Sequence, residues 1–215
     1  PTASVINNAI SMVAAGNSVV FVPHPAAVKC SQFAMCLLND AIVEAGGPEN
    51  TLVTVASASI ENAQKIMTHP GIRLLTVTGG PAVVEAASKS RKKYIAAGPG
   101  NPPAVVDETA DLKKAARDIV SGASLDNNVL CIAEKEIIVV ESVADELKKH
   151  LRNSGAYEAS PREIAQLEKI CINDKGQPNR KLVGRNAAVI MQEIGVNIPA
   201  ETRIILCETA PDHPF

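Results

Sequence analysis

Cys131 stands in the stretch DNNVLCIAEKE, residues 126 to 136, between an Asn-Asn pair and the apolar run EIIVV. A cysteine so placed is either a small core residue or a nucleophile held where a helix gives way to a strand. Free backbone N–H groups at such a connection would stabilise both a thiolate and a developing oxyanion. Cys30, Cys36, Cys171 and Cys207 fall in apparent helix or strand bodies and read as small buried hydrophobes. A second stretch with chemical potential is TGGP, residues 78 to 81, at a strand-to-helix turn. Its glycines permit close backbone approach, Pro81 omits a donor the first turn does not need, and the remaining N–H groups suit a phosphate. Such a turn is also often nothing more than a turn, and the GxGxxG fingerprint is missing. The five cysteines include no CxxC pair and the four histidines are scattered, so neither a disulfide framework nor a metal site is expected.

Groups like these need elements to position them. SVVFVP (18 to 23) reads as a buried strand, and the segment after it as a helix with Ala34, Leu37, Leu38, Ala41 and Ala45 on its apolar face and a Gly stop. TLVTVA is the next strand, IENAQKIM the next helix, RLLTVTGG a strand again and PAVVEAASKS a helix. Strand, helix, strand, helix, strand in this order implies crossovers in a parallel sheet of the dinucleotide-binding type. GPGNPP then interrupts regular structure and marks a crossing between two domains, 1–103 and 104–215. Beyond it Thr109 is placed to cap a helix with the stripe Leu112, Ala115, Ala116, Ile119, Val120 and Ala123, and SPRE (160 to 163) is a capping box. The fold class is α/β.

Composition narrows the partners. The 215 residues are 46% hydrophobic but only 2% aromatic, so the core must be built from small aliphatic side chains at close backbone distances. The net charge is −2, and the single basic cluster, KSRKK at 89 to 93, lacks interleaved aromatics and reads as the solvated end of a helix. No nucleic-acid partner is indicated. On this reading no apolar run approaches the about 18 residues of a membrane helix and no signal peptide is visible, which points to an intracellular, cytoplasmic protein.

Four ordered motifs, AAGNSVVFVPHPAAVKCS, HPGIRLLTVTGGPAVVEAA, GPGNPPAVVDETADLKKAARDIV and DNNVLCIAEKEIIVVESVADEL, resemble the aldehyde dehydrogenase superfamily. The resemblance is nearest to its CoA-acylating branch, the propionaldehyde and acetaldehyde dehydrogenases of bacterial propanediol and ethanolamine utilisation. It implies a Rossmann-like cofactor domain over 1–103, part of an α/β catalytic domain over 104–215, and Cys131 as the nucleophile that becomes an acyl thioester. It further implies NAD as cofactor, with Val22, Pro23, His24, Thr78, Gly79, Gly80, Val83, Ala97 and Gly98 around it. Coenzyme A and a short-chain aldehyde are the implied substrates, with a homo-oligomer and packaging in a bacterial microcompartment as family expectations.

Departures from the family pattern carry information too. Aligning the Gly-Gly-Lys-Asn-Pro-like stretch of hydrolytic members on Gly98, Pro99, Gly100, Asn101 and Pro102 puts their water-activating Glu at Ala96. General-base help is worth about 10² to 10⁴ in rate, so without it the thioester should persist until a thiol such as CoA arrives. Val22 and Pro25 replace the Lys and Glu that hold the adenosine ribose in hydrolytic members, which leaves NAD against NADP open. The oxyanion Asn would fall upstream of Pro1 and the nicotinamide-ribose Glu beyond Phe215, so the chain is expected to be a fragment. The alternatives are a hydrolytic aldehyde dehydrogenase using Glu134 or Glu136, and a non-catalytic nucleotide-binding piece with Cys131 merely buried.

Overall fold

The computed structural model describes residues 2–98, 100–174 and 176–215, so Pro99 of the GPGNPP stretch lies outside the described residues. The chain forms two compact units, residues 1–98 and 99–215. All strand pairs are parallel.

The first unit runs α1 (Thr2–Ala14), β1 (Val19–Phe21), α2 (Val28–Glu44), β2 (Leu52–Thr54), α3 (Ile60–Thr68), β3 (Leu74–Thr78), α4 (Pro81–Lys89) and β4 (Lys93–Ala97). β1 pairs with β2, and α1 and α2 close over them through Val5, Ala9, Ala34, Met35 and Leu52. The inner face of α2 is Ser31, Ala34, Met35, Leu38 and Ile42, which includes Ala34 and Leu38 of the stripe expected from the sequence but not its other members. Leu37 is 55% exposed, Ala41 is exposed, and Ala45 lies past the helix at its C-cap. Asn39 explains the phase: its Nδ2 donates to Leu52 O at 2.7 Å and its Oδ1 accepts from Leu52 N at 3.0 Å. That two-point clamp satisfies the edge of β2 as a neighbouring strand would, and it fixes the rotation of α2. The Gly stop has the Schellman form, with Gly46 at φ 84 and Gly47 N donating to Ile42 O at 2.8 Å.

Pro25–Glu44 comprises 20 residues of mean hydropathy 1.2, long and apolar enough by composition to cross a bilayer, which corrects the sequence reading that no such run exists. Its inner face packs on α1 and β2 as a core helix does.

β3 pairs with β4 in the register Leu74↔Lys93 to Thr78↔Ala97. Leu75 and Val77 point inward and their neighbours outward, and Ala87 of α4 packs on them with no exposed surface. The expected strand-helix alternation is present, but it makes two βαβ pairs; β2 and β3 share no ladder among the described residues. Apolar periodicity demands a parallel partner for each strand without specifying which edge is filled. The basic cluster is also more structural than expected. Lys89 pairs with Glu85, while the Lys92 ammonium donates to the carbonyls of His69 and Ile72 and Lys93 opens β4.

The second unit contains β5 (Pro103–Val106), α5 (Leu112–Ala123), β6 (Glu136–Val139), α6 (Glu141–Asn153), β7 (Ala156–Glu158), α7 (Pro161–Cys171), α8 (Ala187–Gln192) and β8 (Ile204–Leu206). β5 pairs with β6 and β7 with β8. Ala116, Ile119 and Val120 of α5 meet Val106, Leu147 and Leu151, so the expected stripe of α5 is its buried face. Its cap is Asp111, whose Oδ1 accepts from Lys114 N at 3.0 Å. Thr109 instead closes the preceding turn, with its N–H and hydroxyl both donating to Asp107 Oδ1. A Thr two residues early cannot reach the first free N–H groups of the helix.

The capping box at the start of α7 forms as read. Ser160 Oγ accepts from Glu163 N, and Glu163 Oε2 accepts from Ser160 N at 2.7 Å. The Ser160 N–H, then its hydroxyl, then the Tyr157 hydroxyl hold the Glu163 carboxyl below the usual glutamate value, against a raising effect of burial. A depressed value in the folded state stabilises at pH above the unfolded value and is lost as pH falls through the folded one. Ser160→Ala is expected to cost about 1 kcal/mol at neutral pH. In urea denaturation that deficit should begin to shrink as pH falls below the unfolded glutamate value of about 4.3, and more as it passes the lower folded one.

Candidate active site

Three residues in succession after α5 are left-handed: Asp126 at φ 50, Asn127 at φ 50 and Asn128 at φ 62. Each costs roughly 1–2 kcal/mol for an ordinary side chain, and Asp and Asn bear that region best because their short polar groups bond locally. Tertiary bonds hold the turn. Asn128 Nδ2 donates to Ala123 O and to Glu134 O, both at 2.8 Å, and Asn128 Oδ1 accepts from Lys135 Nζ at 2.7 Å. Asn127 Nδ2 donates to Gly184 O at 3.0 Å and to Asn186 Oδ1 at 2.8 Å. The end of α5, the start of β6 and the 184–186 segment are thereby tied to one turn.

Cys131 follows this turn, and it is exposed. The next residue but one, Ala133, is buried, and its N–H donates to Leu130 O at 3.2 Å, so the loop is anchored on either side of the thiol. The N–H groups of Cys131 and Ile132 donate to no acceptor among the described residues. Their exposure leaves them available to an incoming anion. Gly100 lies against the Cys131 peptide: a Cβ there would overlap the Cys131 carbonyl oxygen and come within 3.8 Å of the Cys131 Cβ. Lys135 N donates to Pro102 O at 3.0 Å, and Asn101 Nδ2 donates to Glu136 Oε1. The GNP part of the domain-crossing stretch is therefore a strap packed on the cysteine loop. Sequence reading treated it as a domain crossing and as the match to a family motif, without placing it against Cys131; the signal for that was a Gly-Asn-Pro run whose glycine no turn explains.

The two carboxylates nearest in sequence differ in what they touch. Glu134 directs its carboxylate onto α5 at Gly122, where a Cβ would collide with it, and Glu136 is the acceptor for Asn101. The other cysteines divide into two kinds. Cys30 and Cys36 are exposed on α2, contrary to the buried reading, since neither belongs to the face of that helix that packs on α1 and β2. Cys171 and Cys207 are half-buried, and burial raises both thiols, Cys207 to about 11.

The residues expected around a dinucleotide all lie in the first unit, in two places. Thr78 and Ala97 are register partners at the ends of β3 and β4, Gly79 N donates to Ala97 O at 3.2 Å, and Gly98 follows directly. Gly80 caps α4, and the N–H groups of Gly80 and Ala82 have no acceptor among the described residues. A Cβ on Gly80 would meet nothing within 4 Å, whereas one on Gly79 would touch Val83, which is itself 42% exposed. Open space, two free donors and a helix dipole suit a pyrophosphate. Val22, Pro23 and His24 lie at the exit of β1, in the other strand pair, and among the described residues no hydrogen bond joins them to the TGGP corner. His24 Nδ1 accepts from Ala26 N at 3.2 Å and so caps the turn that leads into α2, which puts the proton of the neutral ring on Nε2.

Residues 1–156 match the aldehyde dehydrogenase family. The chain is 56% identical to an acetaldehyde dehydrogenase (acetylating), EutE, of Escherichia coli K12 over its whole length and 47% of that protein. It is 46% identical to a propanal dehydrogenase (CoA-propanoylating) of Salmonella typhimurium, again over its whole length and 46% of the relative. Among solved structures, 98% of it superposes with TM-score 0.88 and 48% identity on 48% of a Rhodopseudomonas palustris propionaldehyde dehydrogenase with bound CoA and an acylated cysteine. The chain thus spans about half the length of the relatives it matches. With its parallel βαβ pairs, its glycine corner and its cysteine loop, the chain belongs to the aldehyde dehydrogenase family.

Proposed function

We propose that the chain is the core of a CoA-acylating aldehyde dehydrogenase, which oxidises a short-chain aldehyde with NAD and CoA to acyl-CoA and NADH. The observation that carries this reading is Cys131: an exposed thiol on a loop fastened at both ends, with unpaired N–H groups beside it. The acetylating and CoA-propanoylating names of its relatives support the acyl acceptor. In this reading the first unit holds the dinucleotide at the TGGP corner and the second carries the chemistry. The Cys131 thiolate adds to the aldehyde carbon, and the Cys131 N–H donates to the oxyanion that forms. Bound NAD supplies the hydride acceptor and CoA the thiol that takes the acyl group.

Ala96 supports release by thiol over release by water. It faces Val77 in the β3–β4 register and packs on Leu75, Val77 and Ala87 as part of an apolar cluster, so no carboxylate stands there. The Asn101 bond to Glu136 and the placement of the Glu134 carboxylate against α5 at Gly122 argue against either as a substitute base. For the whole protein we infer a homo-oligomer, and a structural relative from a fucose utilisation bacterial microcompartment supports a cytoplasmic enzyme packaged in such a shell.

The whole protein, as made from its gene, is expected to form NADH from acetaldehyde or propionaldehyde only when CoA is present, and Cys131→Ala is expected to abolish this; free acid released at the same rate without CoA would sink the reading. Iodoacetamide at pH 7 should label Cys131 ahead of the equally exposed Cys30 and Cys36. Cys171 and Cys207 should stay nearly unlabelled, because raised values leave little thiolate at that pH. Gly100→Ala must displace the Cys131 peptide, and a displacement of about 1 Å at a reacting group is worth on the order of 10² in rate. The loss should appear in kcat, with NAD binding by the first unit unchanged in a fluorescence titration.

A further inference from the structure

We infer that Lys135 is a positioning residue for acyl transfer, which orients and polarises the Leu130–Cys131 peptide so that the Cys131 N–H meets the oxyanion; this rests on Cys131 being the nucleophile. Lys135 is held at its backbone by Pro102 O and reaches back beneath the loop with its side chain. Its ammonium lies 2.7 Å from Asn128 Oδ1 and 3.0 Å from Leu130 O, with Asn128 O and Ala133 O both at 3.4 Å. Four oxygens of one short loop thus converge on one cation, and they include the carbonyl of the residue directly before the cysteine.

The consequence follows from peptide geometry. The Leu130–Cys131 peptide is trans, and in a trans peptide the C=O and the N–H of one unit point in opposite directions. Leu130 O is fixed from one side by Lys135 Nζ and Ala133 N. The Cys131 N–H of the same unit must then point the other way, and it is indeed unpaired. A cation on the carbonyl oxygen also draws electron density from the amide and strengthens its N–H as a donor. Lys135 therefore sets both the direction and the strength of a donor in the reaction while touching neither substrate nor cofactor.

The two neighbouring acidic side chains do not compete for the ammonium. Glu134 is turned onto α5 at Gly122 and Glu136 is occupied by Asn101, so the positive charge of Lys135 is left to the loop carbonyls.

The test uses the whole protein and compares two reactions of one thiol. Aldehyde oxidation develops an oxyanion, whereas alkylation of Cys131 by iodoacetamide displaces iodide and develops none at that N–H. Lys135→Met keeps the length and removes the charge; it should lower kcat for CoA-dependent NADH formation by about 10-fold to 100-fold, below the full loss of an oxyanion donor, with KM for aldehyde nearly unchanged. Alkylation of Cys131 should change by less than about 3-fold, and Lys135→Arg should recover most of kcat because it keeps a charged donor. If Lys135→Met does not fold, Lys135→Gln, a neutral donor, supplies the same comparison with the same expected split. A wild-type kcat in the neutral variant would overturn the inference, and so would an equal fall in kcat and alkylation, which is what a merely structural loop contact gives. Cys131→Ala run in parallel separates the two levels. Retained turnover there removes the nucleophile itself, whereas a dead Cys131→Ala beside a fully active Lys135→Met removes only the role of Lys135.

Discussion

The amide of Asn128 is the interaction on which the second unit's site depends. Its two protons go to the last carbonyl of α5 and to Glu134 O, and its oxygen receives the Lys135 ammonium, so one side chain binds the helix exit, the strand entrance and the cation between them. It does so from φ 62, at the end of three left-handed residues. A backbone bent in this way would relax if left alone. The hydrogen bonds and the anchoring of Asn127 on Gly184 and Asn186 offset the conformational cost and give the cysteine loop one shape.

That shape serves the chemistry because it leaves some groups satisfied and others not. Leu130 O, Asn128 O and the Asn128 side chain are paired, while the N–H groups of Cys131 and Ile132 remain open beside an exposed thiol. The glycine corner of the first unit follows the same logic: β3, β4 and the Gly79 bond to Ala97 fix the backbone, and the N–H groups of Gly80 and Ala82 stay free. In both places rigidity comes from neighbours and binding capacity from what those neighbours leave unpaired.

Small side chains make this arrangement possible. Ala87, Ala116 and Val120 have no exposed surface, and each sits where a helix lies close over a parallel strand pair. With so few aromatics the layers can approach closely, and polar clamps such as Asn39 on β2 and Lys92 on the end of α3 fix rotations that uniform apolar faces leave undetermined.

Sequence by itself determined the α/β class, the strands and helices from β1 through α4, the buried stripe of α5, the capping box of α7 and the family, because each of these rests on local periodicity, local caps or ordered motifs. It left α1, β4, β5, α6 and α8 unassigned, and it missed the short strands β7 and β8 and the true cap of α5. Three-residue strands carry almost no periodic signal, and Asp107, Thr109 and Asp111 all offer the same capping chemistry within one turn. The phase of α2 and the partners of each strand were decided only in three dimensions, since an Asn39 clamp and an edge choice leave no mark on composition. The same holds at the site. Cys131, TGGP and GPGNPP could be picked out as letters, but that Gly100 must lack a side chain to lie on the Cys131 peptide is a fact of tertiary packing. That the exposed Lys135 folds its ammonium back onto its own loop is another, because it depends on where the carbonyls of residues 128 to 133 point after three left-handed residues.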